Sequence, residues 1–370
     1  MTAVADAVAV AVAAYGLQGT LANLPDVPLA PGDWAPLIER VRRERMPGLL
    51  VAAIADGAFP VLPEQREEAA EAHVASMCKA VLLERDLLGS FELLASAGIP
   101  CRVLKGSAVA HLDYPDPALR SFGDLDLLVP SEHFDRAVEL FVGRGDHRQF
   151  HSPRPDFDRR FSKGTSFITP SGRDLDLHRT FVSGPFGLTV ELPDLFETAS
   201  PFVVGGETLL ALGPEERFLH ACFHAALGDI PPRLVAVRDV AQILLHTPLS
   251  QERVLEQCRR WRAEPVVARA VLLAWETLRI ADVVALSVWA ARYRPDPAER
   301  RAIRVYTDES ATYSAQAATA LWAIPRLFDR AAYLRALLFP DRHYLAPRDR
   351  GYVTRVRRGF STLRQWGVRT

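Results

Sequence analysis

Apolar positions along this chain recur first at helical spacing, then at the two-residue period of strands, then again at helical spacing. The run 7–15, VAVAVAA bracketed by Ala7 and Tyr15, is apolar on every side and reads as a packing helix. Beyond a Pro-rich connector at 24–31, helical patterns cover 34–56 and 63–97, and Pro47-Gly48 is expected to break or kink the first. The second carries Val81, Leu82, Leu88, Phe91, Leu94 and Ala95 at near-helical spacing after an acidic start, and Gly98-Ile99-Pro100 stops it. Short strands are expected at 101–104 and 124–129, separated by a helix over 107–112 and a loop over 114–123 that Pro115 and Pro117 keep irregular. Ser131 is placed to cap a helix whose Phe134, Ala137, Val138 and Phe141 share one face, and Gly143 to Gly145 close it. Strands at 166–169 and 174–177 around Pro170-Ser171-Gly172 read as a hairpin. From Gly213 the pattern is helical over 214–227, 233–246, 250–262 and 265–280, and less regularly to about Leu338. The chain thus divides into an N-terminal helical region (1–97), a strand-containing core (98–212) and a helical C-terminal domain (213–370).

Composition narrows what such a protein can do. At 370 residues and 49% hydrophobic content the chain can fill a sizeable core in each of two domains. A formal net charge of −1 gives no global field that draws it to nucleic acid or a membrane, so an anionic partner must be small and held by local charges. Only Lys79, Lys105 and Lys163 among the 44 basic residues are lysines, which makes Lys105 stand out. The Arg-rich stretch 348–370 reads as a solvated tail or final helix, with an anion-binding arm as the alternative. Cys78, Cys101, Cys222 and Cys258 form no CxxC pair, which argues against a zinc site or a disulfide framework. With no basic region before the first apolar run, and no stretch of roughly 18 to 20 uninterrupted apolar residues, a soluble, cytoplasmic protein is expected.

The candidate chemistry sits between Val103 and Val129. In a strand, residues two apart project from one face about 6.5 to 7 Å from each other, so Asp124 and Asp126 point the same way while Leu125 and Leu127 enter the core. Two such carboxylates repel unless a cation compensates, and hard oxygen ligands suit Mg²⁺ that also binds phosphates. The competing reading is an edge strand with one wet face. Three neighbours favour the metal. Gly106-Ser107 lies at a strand-to-helix junction where phosphate oxygens can approach backbone N–H groups. Lys105 and Arg120 can neutralise a triphosphate, although Lys105 also suits a structural pairing with Asp124, and Arg120 a salt bridge that holds the Pro-rich loop. Asp174 and Asp176 form a second alternating pair, extended on the same face by His178.

These residues resemble a known family. Leu104-Lys105-Gly106, Tyr114-Pro115-Asp116-Pro117, Leu119-Arg120 and Asp124-Leu125-Asp126-Leu127-Leu128-Val129 look like the uncharacterised nucleotidyltransferase family of the polymerase-β-like superfamily. Asp176-Leu177-His178 resembles its downstream acidic strand, and Arg217-Phe218-Leu219-His220 with His224 and Arg238-Asp239 resembles its helical part, so the likeness covers 94–246. It implies an α+β fold, a small mixed β-sheet core flanked by helices. It also implies metal binding by Asp124 and Asp126, with Asp176 as the third carboxylate. In the wider superfamily a hydrophobic residue precedes Gly-Ser and about nine to thirteen residues lead to the first acid. Here Lys105 takes that position and sixteen residues intervene, so the phosphate cradle is less secure than the metal ligands.

The expected activity is transfer of a nucleoside monophosphate from an NTP, with ATP as the expected donor, to a hydroxyl or similar group on a small molecule, peptide or protein, releasing pyrophosphate. Two Mg²⁺ ions, or Mn²⁺ in their place, would serve it. A non-catalytic nucleotide-binding or toxin–antitoxin-type interaction protein is the alternative. A template-directed polymerase or RNA-tailing enzyme is disfavoured because the composition shows no basic track. His220 and His224, four apart without an HExxH glutamate, suit packing against the sheet or contact with substrate. Asp239, next to Arg238, suits an ion pair or a substrate base.

Overall fold

A computed structural model of the chain describes residues 2–309, 313–341 and 344, so the Arg-rich stretch 348–370 lies outside the described residues. The N-terminal run forms α1 (Ala3–Ala14), capped by Thr2, whose hydroxyl accepts from Ala5 N–H. α2 (Pro31–Arg43) and α3 (Pro47–Ala55) each begin with proline, whose missing N–H costs nothing in a first turn. Pro47 therefore starts a new helix where a kink in one continuous helix was an open expectation. α4 (Pro63–Ser96) runs 34 residues, and the Gln65 side chain accepts from Leu62 N–H at its start.

The strand region builds one seven-stranded mixed sheet. Its elements in chain order are β1 (Arg102–Val103), α5 (Lys105–Asp113), β2 (Leu125–Leu128), α6 (Phe134–Arg144), β3 (His147–Arg148), α7 (Phe157–Phe161), β4 (Gly164–Ile168), β5 (Asp174–His178), α8 (Pro185–Thr189), α9 (Asp194–Glu197), β6 (Ser200–Val204) and β7 (Glu207–Ala211). The strands lie in the order β3-β4-β5-β2-β1-β7-β6. β2 pairs parallel with β5 and antiparallel with β1, while β4 and β5 form the expected antiparallel hairpin.

Several features differ from the sequence reading, among them the short helices α7, α8 and α9 and a 3₁₀ turn over Pro117–Leu119 in the expected loop. A short 3₁₀ turn over Ser131–His133 precedes α6, and the Ser131 hydroxyl, buried without a partner, makes no cap. β3 was not anticipated. Neither was the β6–β7 hairpin, whose two-residue turn Gly205-Gly206 puts both glycines at positive φ, the conformation that matches strand twist in a tight hairpin.

The C-terminal helices are α10 (Pro214–Leu227), α11 (Leu234–His246), α12 (Gln251–Arg260), α13 (Glu264–Thr277), α14 (Ala285–Arg292), α15 (Pro297–Thr307), α16 (Tyr313–Ala323) and α17 (Leu327–Leu338). None of the described helices is long and apolar enough to cross a membrane.

The strand period sorts side chains between two cores. Leu125, Leu127, Leu175 and Leu177 fill one with Leu83, Leu87 and Leu94 of α4 and Phe134 and Phe141 of α6. Each such fully buried side chain contributes roughly 1.5–3 kcal/mol. Leu104 and Leu128 join a larger core shared by α1, α2, α3, α10, α11 and α13. Buried polar ties fix these layers. Arg238 of α11 donates to the carbonyls of Ala13 and Tyr15, and Arg217 of α10 forms a bidentate pair with Asp113 of α5 at 2.6 and 3.0 Å. The fold is α+β, with the even-numbered face of β2 and β5 turned away from the α4–α6 core.

Candidate active site

Parallel pairing of β2 with β5 places Asp126 beside Asp176 and Leu128 beside His178. Alternation then puts Asp126, Asp176 and His178 on one face. One ligand atom from each lies within 4.8 Å of the others. Both strands are short and apolar on their other face, so the polar face is left for chemistry while the leucines hold the backbone rigid.

Asp126 is the centre of the charge network. Its Oδ1 lies 2.8 Å from Lys105 Nζ and 2.8 Å from His178 Nε2. Burial would push this carboxyl up, but Lys105 and the His178 hydrogen bond outweigh it and hold the group well below the usual carboxylate range. Burial opposes the Lys105 ammonium in turn, and Asp126 and Asp124 overcome that and raise it above an ordinary lysine. Asp176 accepts from Ser166 Oγ at 2.5 Å and faces Lys163 Nζ at 3.6 Å. Burial, reinforced by Lys163, pushes His178 below the usual imidazole value and favours its neutral form. As the donor to Asp126, Nε2 carries the proton; with the proton on Nδ1 instead, 3.4 Å from the Thr180 carbonyl, Nε2 would present its lone pair to an ion held between the carboxylates.

This donor set fits a divalent cation. Two carboxylates and one imidazole converge, and their negative charge is balanced by two lysines that an ion could replace.

The remaining sequence candidates are distributed around this cluster. Asp124 lies one residue before β2, and its carboxylate pairs with Arg45 at 2.9 Å, outside the set of converging ligand atoms. Asp174 is exposed at the start of β5. Lys105 and Gly106 have φ of 35° and 34°, and the positive value at a lysine is a strained conformation at the mouth of the site. Ser107 donates to Glu84 Oε1 at 2.8 Å, the same oxygen that His111 Nε2 reaches at 2.8 Å. Arg120 is buried and bound through two nitrogens to Asp239, at 2.7 and 3.3 Å, while Tyr114 donates to the same Asp239 carboxylate at 2.9 Å. Arg120 and Asp239 thus form an ion pair, one of the two options open for each in the sequence.

A cleft of ≈ 360 Å³ opens on the cluster, lined by Lys105, Lys163, Asp176 and His178 and closed by Phe181, His220 and His224. The Phe181 and His220 rings pack at 4.7 Å. Burial, with Lys105 adding to it, pushes both His220 and His224 well below the usual imidazole value, so both are neutral near pH 7.

Sequence reasoning gave no site role to Lys163, Ser166 or Arg45. The rarity of lysine was a usable signal, because Lys105 and Lys163 both line this cleft. Arg45 and Ser166 gave none, since arginine and serine are common and only the tertiary contacts single them out.

A family model described as an uncharacterised nucleotidyltransferase matches residues 30–279. Among solved structures, the chain is similar to an antigenic nucleotidyltransferase-like protein from Paracoccidioides brasiliensis. The two are 17% identical over 55% of this chain and 92% of that one, with a TM-score of 0.30. No curated protein matches the chain.

Proposed function

Because the chain belongs to the uncharacterised nucleotidyltransferase family, we propose that it transfers a nucleoside monophosphate from an NTP to a hydroxyl or similar group of an acceptor, with release of pyrophosphate. The observation that carries this reading is the convergence of Asp126, Asp176 and His178 from two strands paired in register, beside the buried cation Lys105. Asp126, Asp176 and His178 would hold a divalent ion, Mg²⁺ or Mn²⁺, with Asp124 reaching it only after leaving Arg45. Such an ion neutralises charge on the reacting phosphate and lowers the pKa of an attacking oxygen.

The protein's own groups supply the rest. Asp176, half-buried and held by Ser166, would accept a proton from the acceptor hydroxyl. Lys105 and Lys163 flank the carboxylates and, once those are otherwise compensated, are the nearest cations for phosphate oxygens. The neutral His220 and His224 and the Phe181 ring give the cleft a wall that can stack on a base and exchange hydrogen bonds with it. The strand-containing core 98–212 would carry the transfer chemistry, with the helices from 213 onward shaping the acceptor side. ATP is the proposed donor.

One observation favours a second reading. Asp124 and Asp126 are both neutralised by basic side chains, as they would be in a nucleotide-binding module without turnover. Incubation with Mg²⁺ or Mn²⁺, each α-labelled NTP and a panel of acceptors separates the two readings. Label transfer or pyrophosphate release is expected, falling by about three orders of magnitude in Asp126→Asn and Asp176→Asn, equivalent to several kcal/mol of lost charge stabilisation. Undiminished activity in both variants would sink the assignment, and binding without transfer in every lane would favour the module.

A further inference from the structure

A second cleft, of ≈ 550 Å³, lies on the Arg45 side of Asp124, its wall formed by Arg42, Arg45, Lys79, Ser121 and Gly123 with Glu71 the one carboxylate among the lining residues. It is formed where the α2–α3 turn meets α4 and the loop leading into β2. Three observations set it apart from an ordinary basic surface.

The first is the backbone at Arg45. Its φ of 61° closes α2, with Arg45 N–H bonded to the Arg42 carbonyl and Met46 N–H to that of Val41, and this helix ending, at a position glycine usually fills, delivers the guanidinium to Asp124 at 2.9 Å. The second is the crowding of like charges. A Cβ added to Gly123 would lie 2.9 Å from Arg45 Nη2 and 3.2 Å from Lys79 Nζ, so two cations converge on one bare stretch of backbone. Arg45 has Asp124 to offset its charge, but Lys79 has no carboxylate partner among the described residues. Lys79 is exposed, so water screens part of the repulsion between these cations, and an anion bound between them would remove the rest. The third is negative. Ser107, at the turn where the sequence suggested a phosphate cradle, donates its hydroxyl to Glu84, and that carboxylate repels phosphate from the turn.

We infer that this cleft is a polyphosphate site, built by Arg45 and Lys79 over Gly123 and assisted by the N-terminus of α3 at Pro47. Its occupant is the β,γ-phosphate tail of the NTP. Asp124 lies at the bend that leads into β2, two residues before Asp126, so their Cα atoms are at most about 7 Å apart. A triphosphate with its α-phosphorus near Asp126 therefore reaches the cations beside Asp124. Arg45 then exchanges Asp124 for phosphate, which frees that carboxylate for the reacting centre. The assignment of the occupant rests on the nucleotidyl-transfer reading, whereas polyphosphate binding itself does not.

Calorimetry on the full chain with inorganic tripolyphosphate, in chelator, tests the site without turnover. Wild type is expected to bind, Lys79→Met to bind about tenfold more weakly, Lys79→Arg to recover most of the affinity, and the distant charge control Arg259→Met to match wild type. In a second arm, Lys79→Met should weaken NTP binding by the same factor and leave the corresponding NMP unchanged. No tripolyphosphate binding by wild type, or full affinity in Lys79→Met, would overturn the site. A loss for tripolyphosphate with no loss for NTP would overturn the tail assignment in favour of a separate polyanion, such as a phosphorylated acceptor. A protein that shows both binding losses yet transfers no nucleotide would refute the proposed activity and leave the polyphosphate site standing.

Discussion

Lys105 holds the same carboxylate oxygen that a divalent ion would take, and replacing it with methionine exposes the competition. The Lys105 Nζ to Asp126 Oδ1 distance is 2.8 Å, with the side chains 15% and 2% exposed. Removing one member of a buried pair costs about 3–5 kcal/mol, because the other charge is left without compensation. Two facts reduce that here. His178 Nε2 still lies 2.8 Å from the same oxygen, and methionine keeps the apolar stem and has no greater difficulty with the 35° φ than lysine has. A loss of about 2–3 kcal/mol is therefore expected in chelator, read as a lower urea midpoint at unchanged slope. An ion binding only the folded state at a hundred times its dissociation constant returns about 2.7 kcal/mol. Saturating Mn²⁺ or Mg²⁺ should thus close most of the gap for Lys105→Met, and should stabilise wild type less because its own ammonium competes. Equal metal stabilisation of both proteins, or a variant as stable as wild type in chelator, would refute the reasoning.

Two further outcomes test the frame around the site. Asp239→Asn leaves the Arg120 guanidinium buried without its carboxylate and weakens the Tyr114 hydrogen bond, so a stability loss of about 3 kcal/mol is expected in urea denaturation. Acid should also weaken the fold through His220 and His224, which burial holds well below the ordinary imidazole value. The unfolded chain binds protons on these groups near pH 6.5 and the folded chain does not, so their contribution is full above that value and lost as pH falls below it. His224→Gln should flatten the decline of the urea midpoint on the acid side of pH 6.5, and an unchanged slope would remove His224 from the account.

Much of the architecture was legible because it rests on local rules. The α10 pattern matches the observed Pro214–Leu227 residue for residue, since proline starts it and glycine follows it. The β4–β5 hairpin was readable from Pro170-Ser171-Gly172 between two alternating runs. The β6–β7 hairpin carried an equally plain signal in Gly205-Gly206 that went unread. At the site, the residue types were visible but their partners were not. His178 looked like an extension of an acidic strand, and pairing with β2 makes it a neighbour of Asp126. Gly106-Ser107 had the local form of a phosphate turn, yet α4 brings Glu84 onto the serine from 23 residues away.

The sequence by itself determined the strand period that separates leucines from aspartates, the starts and stops of the helices, and the supply of carboxylates, histidines and rare lysines. These follow from steric and hydrogen-bonding preferences that act over a few residues. Only the tertiary structure decided which carboxylates meet. The register of β2 on β5 joins Asp126 to Asp176 across 50 positions. Arg45, 79 residues before Asp124, draws that carboxylate to a separate basic cleft. Both outcomes depend on which distant charges packing brings within a few ångströms, because Coulomb attraction between buried groups acts on spatial distance and is indifferent to separation along the chain.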